Sequence, residues 1–112
     1  MKKLTLLGTL LFASSVAMAG FQQNVGNVIP VSQALSAADK SVVVIEGSIV
    51  KQVDDDKFIF ADNTGSMKVE IEDHVWRGLN VTPQDKLRLI GISDKDFGRN
   101  AKLEVTEVQK IQ

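Results

Sequence analysis

Residues 41–72 read SVVVIEGSIVKQVDDDKFIFADNTGSMKVEIE. Three runs of period two lie in this stretch, divided by turn signals. In the first, Val43, Ile45, Gly47 and Ile49 share one face, and Val44, Glu46 and Ser48 share the other. Val42, Val44 and Val50 make that outer face more apolar than simple alternation predicts. Gly47 in mid-strand signals a bend or bulge, and a long bent strand can take part in both sheets of a small barrel. Asp54-Asp55-Asp56 is a turn signal. Lys57 to Asp62 forms the second strand, with Phe58 and Phe60 on one side. Asp62-Asn63-Thr64-Gly65 is a tight hairpin turn. Ser66 to Glu72 then alternates cleanly, with Met67, Val69 and Ile71 inward and Ser66, Lys68, Glu70 and Glu72 outward.

Beyond this stretch, Asp73 to Leu79 breaks the β pattern. Asp73 can cap a helix start, Val75, Trp76 and Leu79 line one side, and Gly78 keeps the helix short. Lys86 to Ser93 is the fourth strand, with Leu87 and Leu89 inward and Gly91 as a second bend. Asp94 to Asn100 is a charged loop, and Ala101 to Ile111 is the fifth strand, with Leu103 and Val105 inward and Val108 shifted as by a bulge. Upstream, Val31, Ala34, Leu35 and Ala38 have helical spacing within Val31 to Asp39, just after Pro30. The reading is all-β with short helices: a helix before strand 1, then a five-stranded closed barrel with a short helix between strands 3 and 4. That layout is OB-fold-like, with the first helix expected as an addition packed outside the barrel. Val43, Ile45, Phe58, Phe60, Met67, Val69, Ile71, Leu87, Leu89, Leu103 and Val105 are the expected core.

The amino terminus follows a different grammar. Lys2 and Lys3 precede an uncharged, mostly apolar run, Leu4 to Val16, and Ala17-Met18-Ala19 is a small-x-small cleavage site. Residues 1–19 therefore read as a signal peptide cleaved after Ala19, 20–30 as a flexible leader, and 31–112 as the barrel domain. The expected location is the periplasm, with no membrane anchor in the mature form, since the run is shorter than the roughly 20 residues a spanning helix needs. Two of the 13 basic residues leave with the signal, so 11 face 14 acidic ones in the mature chain, a formal charge of −3. Acidity and export argue against nucleic acid as a partner. The absence of cysteine excludes disulfides and thiolate chemistry, and one histidine cannot build a His-based metal cage.

These residues resemble the bacterial OB-fold (BOF) family of small periplasmic stress-tolerance proteins. The resemblance covers about residues 31 to 111. It runs through Val43-x-Ile45-x-Gly47-x-Ile49, Asp55-Asp56-x-Phe58-x-Phe60-x-Asp62-x-x-Gly65 and Val69-x-Ile71. It continues through Trp76-x-Gly78, Val81-Thr82-Pro83-x-Asp85, Gly91 and Asp94-Lys95-Asp96. It implies a periplasmic barrel without catalytic residues, associated with envelope or oxidative stress, and supplies no ligand.

The candidate ligand-binding residues are Asp54, Asp55, Asp56, Lys68, Glu70, Asp94, Lys95 and Asp96. Both acidic loops are expected to flank the usual OB ligand face, where they would repel phosphates and suit a polyamine, a cationic peptide or a glycan. Charged loops that only keep a small protein soluble are the alternative. Consecutive aspartates lack the alternating ligand spacing of a Ca²⁺ loop, so no metal site and no cofactor are expected. His74 has no nucleophile or second histidine near it in sequence. Glu70 and Glu72, about 7 Å apart by strand rise, have no deep cleft to work in. Phe58 and Phe60 face the core, which leaves no platform for stacking bases. The expected function is a periplasmic, non-catalytic binding module associated with envelope or oxidative stress tolerance. Its ligand would be an envelope component such as a peptidoglycan fragment, or a protein partner. The alternative is an acidic stress-protective protein that sequesters cationic toxicants or metal ions.

Overall fold

The computed structural model describes residues 26–96 and 99–112. The expected signal peptide and the leader as far as Val25 lie outside the described residues. Five strands follow a short helix: α1 (Val31–Ala34), then β1 (Val42–Gln52), β2 (Lys57–Asp62), β3 (Gly65–Glu70), β4 (Leu87–Asp94) and β5 (Lys102–Lys110), with a 3₁₀ turn at Asp73–Trp76 between β3 and β4. They close into a barrel in the order β1-β2-β3-β5-β4.

The long first strand closes the ring because it changes partner midway. Val42 to Gly47 pair with β4, and Ser48 to Gln52 pair with β2. The change falls at Gly47, where a Cβ would collide with the Ala61 carbonyl. Only glycine lets the strands come that close. Gly91 does the same for β4 and β5. Ile90 stands opposite Glu107 and Gly91 opposite Val105, so Thr106 is the extra residue of a bulge. That bulge turns Val108 back to the core, as its shifted spacing implied. The parallel contact of β3 with β5, Val69 to Leu103 and Glu70 to Glu104, completes the ring.

Every expected core residue is buried, with Phe60, Ile45, Val69, Ile71, Leu87, Leu89 and Leu103 fully so. The strands also contain the expected hairpin, whose Asp62 and Gly65 pair across Asn63-Thr64. The third strand is shorter than its alternation suggested. Ile71 gives its N–H to the Asp56 carbonyl at 2.8 Å instead of to the ladder, so the strand stops at Glu70.

Both helices depart from expectation. α1 ends at Ala34 rather than Asp39, because the Ser36 and Ala37 N–H groups turn to the carbonyls three residues back, Gln33 and Ala34, and the Leu35 carbonyl is taken by the Ala101 N–H. Nor does it pack outside: Val31 and Ala34 are fully buried and belong to the barrel core. The second helix is only the 3₁₀ turn, ended by Arg77 at φ 53 and Gly78 at φ 78. Glu72, not Asp73, occupies its N-cap, and no side chain caps it. The last leader residues lie on the barrel. Ile29 donates to the Val44 carbonyl at 2.9 Å and Val28 bridges Val44 in parallel. This contact explains the apolar Val44, which is buried outside the core cluster, while Val42 and Val50 stay exposed.

Candidate functional site

The outer face of β2 and β3 carries alternate residues by the pleat: Lys57, Ile59 and Ala61 on β2, and Ser66, Lys68 and Glu70 on β3. Phe58 and Phe60 are buried beneath it. Where this face meets the β4–β5 loop, a groove of about 450 Å³ is lined by Lys57, Ile59, Lys68, Asp94, Asp96 and Lys102, among others.

Charges of both signs cross the strands there. Asp56 pairs with Lys57 at 3.1 Å, and Lys57 stands opposite Glu70 in register. Lys102, reaching over from β5, pairs with Glu70 at 3.2 Å and with Asp94 at 3.8 Å. The ladder therefore runs Asp56, Lys57, Glu70, Lys102, Asp94 and ties the two acidic loops together. The Lys57 ammonium, through its hydrogen bond, holds the Asp56 carboxyl below its usual value. Asp56 in turn raises Lys57, with Glu70 adding to the effect.

The candidate residues divide between two places. Lys68, Asp94 and Asp96 line the groove, and Glu70 meets it through Lys102. Lys95 is tied by its backbone N–H to Asp39 Oδ1 at 2.9 Å. Asp54, Asp55 and Asp56 instead line a separate hollow with Glu72 and Asp73, and the Asp54 carboxylate accepts the Asp55 N–H at 2.8 Å. The two acidic loops thus do not line one common hollow. Lys57 and Lys102 were not singled out from the sequence. Their outward place in the alternation was the available signal; the partner of Lys57 is its neighbour Asp56, whereas those of Lys102 lie on other strands.

Among the described residues, no three His, Asp or Glu side chains are grouped to hold a metal ion. His74 is exposed and stands 3.7 Å from Glu72. No helix among the described residues is long and apolar enough to cross a membrane.

With this geometry in view, the chain can be set beside known proteins. It is 43% identical over 101 residues to an uncharacterized protein of Haemophilus influenzae, covering 90% of this chain and 84% of that one. It is 42% identical over 81 residues to the calcium-regulated OB-fold protein CarO of Pseudomonas aeruginosa, covering 71% and 70% respectively. The solved structure of the hypothetical protein ygiW from Escherichia coli superposes with a TM-score of 0.74 at 33% identity, covering 84% of this chain and all of that one. The family model described as "Bacterial OB fold (BOF) protein" matches residues 12–110. The closed barrel, its glycine crossings and these matches agree, and the chain belongs to the bacterial OB-fold (BOF) protein family.

Proposed function

We propose that this protein is an exported, non-catalytic binding module of the periplasm that serves tolerance of envelope or oxidative stress. Its ligand is an envelope component, such as a peptidoglycan fragment, or a protein partner. The observation that carries this reading is the groove on the outer face of β2 and β3 beside the β4–β5 loop. OB-folds take their ligands on this face and between these loops. Because the ladder pairs each of its lysines with a carboxylate, the site suits a neutral or zwitterionic ligand. Export is supported by Lys2, Lys3, the apolar run and Ala17-Met18-Ala19. Calorimetric titration with soluble peptidoglycan fragments tests the ligand: saturable binding that survives salt and is lost in Lys68→Glu supports it. Mass spectrometry of the native protein tests export, with Gly20 as the expected first residue.

One observation favours a second reading, an acidic protective protein that sequesters cationic toxicants or metal ions. Asp54, Asp55, Asp56, Glu72 and Asp73 surround one hollow. Attraction there would be diffuse and would collapse as salt rises, since exposed charges are screened over about 8 Å at physiological ionic strength.

A further inference from the structure

A second depression shares no lining residue with the β2–β3 groove. This cleft, of about 570 Å³, opens between the end of β1 and the segment 76–83. Phe58 and Trp76 meet edge to face at its base, with ring centroids 5.6 Å apart, and Val50 and Leu79 line it. Both are large apolar residues left in solvent: Val50 is 53% and Leu79 37% exposed.

The exposure of Val50 has a backbone cause. The pairing of β1 with β2 slips between Ile49 and Lys51, so Val50 is the unpaired residue of a bulge. A bulge re-aims a side chain, and this one turns a valine toward the cleft, where a polar residue would be solvated at no cost to the barrel. Lys51 and Asp73 also line the cleft. Among the described residues neither enters an ion pair. An apolar centre with an aromatic residue and a rim bearing both charges has the anatomy of a protein interface.

The cleft is open rather than enclosed. Small-molecule sites cover roughly 70–90% of their ligand, whereas an alkyl chain lying here would keep one flank in water. A polypeptide brings its own cover. We propose that the cleft docks a polypeptide partner, which inserts one large apolar side chain between Val50 and Leu79 and presents an acidic residue to Lys51 and a basic residue to Asp73.

Trp76 is the single tryptophan of the chain, so its emission reports the cleft directly. The test titrates the purified protein with a blocked five-residue peptide whose central leucine is flanked by a glutamate and a lysine. The same peptide with asparagine for leucine, and lauric acid, are run in parallel. The leucine peptide is expected to shift Trp76 emission saturably and the asparagine peptide to leave it unchanged. Val50→Asp and Leu79→Asp should each weaken binding at least tenfold, with circular dichroism unchanged. Should either variant unfold, Lys51→Glu, at an exposed position, gives the same answer through a several-fold loss of affinity. Saturable binding of laurate without the leucine peptide would assign the cleft to lipid and overturn the proposal. So would silence in every arm, or peptide affinity that is indifferent to all three substitutions.

Discussion

The two short helical elements border the same core and are held in opposite ways. At the Asp62 end of β2, α1 is tied to residues far away in sequence. Asp62 Oδ2 accepts the Val31 N–H at 3.0 Å, and the Thr64 hydroxyl oxygen accepts the Ser32 N–H at 3.0 Å. Ala101 donates to the Leu35 carbonyl at 2.9 Å, and Ser41 and Ser93 lock the chain that follows. At the Phe58 end, the 3₁₀ turn has no side-chain cap. It rests on Val75, which is buried, and on the edge-to-face contact of Trp76 with Phe58. Neither piece could persist alone at such length. Side-chain hydrogen bonds from distant residues hold the first, while backbone hydrogen bonds such as Leu79 N–H to the Trp76 carbonyl, together with packing, hold the second, which has an apolar cleft beside it.

Substitutions at the two ends test this difference, and a change in the shared core sets the scale. Phe60→Ala should cost about 3–5 kcal/mol in urea unfolding, because the ring is fully buried. A loss below about 1 kcal/mol would mean that the barrel does not close around it. Next in size is Asp62→Ala at the α1 end, expected to cost about 1–2 kcal/mol by analogy with lost helix caps. It also removes the acceptor for the Thr64 hydroxyl and for the Thr64 and Gly65 N–H groups. Burial raises the Asp62 carboxyl, but hydrogen bonds from the Thr64 side chain and from the Val31, Thr64 and Gly65 backbone outweigh it and bring the value below normal. A carboxyl lowered on folding stabilises fully above its unfolded value, near 3.9, and loses that contribution as pH falls through the folded value. Unfolding curves from pH 7 downward should therefore converge for wild type and Asp62→Ala at low pH. A gap that widens toward acid would contradict the sign.

Gly78→Ala at the open end should cost less, about 1 kcal/mol. A Cβ there meets nothing within 4 Å, so the penalty is only that of φ +78. If Gly78→Ala cost more than Asp62→Ala in the same urea series, the 3₁₀ end would be the more tightly held of the two.

How much of this was legible follows from the range of each interaction. The β2–β3 hairpin was readable because its alternation and its Asx turn are local: Lys57 to Glu70 carry both the faces and the bend. The closed barrel was readable from the short helical segment between the third and fourth of five strands, and Gly47 and Gly91 marked the bends although not the carbonyls that demand them. α1 was visible as a helix, but its end is met by Ala101, which comes from far along the chain to take the Leu35 carbonyl. Its inward packing depends on Asp62, 31 residues from Val31. Val42, Val44 and Val50 stood out as too apolar for an outer face, and the structure gives them different reasons. Val44 is covered by Val28, and Val50 is extruded by a bulge. The acidic loops were plain in the sequence. Their separation was not, nor was the lysine from β5 that pairs with Asp94 and, across 32 residues, with Glu70.

The smallest expected effect on the fold bears most directly on function: Asp54, Asp55 and Asp56 changed together to Asn. Two electrostatic consequences oppose each other. Asp54 and Asp55 face Glu72 and Asp73 across one hollow, so neutralising them relieves like-charge repulsion. Asp56 loses its pair with Lys57, but that pair is still about one-third exposed, and pairs near the surface contribute little. The melting midpoint should stay within about 3 °C of wild type. Asp56 carries a lowered carboxyl because of Lys57, so its stabilising share is present above the unfolded value and disappears on acidification. Any difference between triple variant and wild type arising from that pair should shrink as pH falls below about 4. Binding then separates the two functional readings. The hollow and the β2–β3 groove share none of the three aspartates, since only the hollow is lined by them. A peptidoglycan fragment held in the groove should bind the variant as it binds the wild type. Spermidine attracted by the acidic hollow should lose most of its affinity, because three charges are gone while the shape is kept. Equal loss of both ligands would mean that the ladder through Lys57 and Glu70 couples the hollow to the groove, and the two regions would have to be treated as one site.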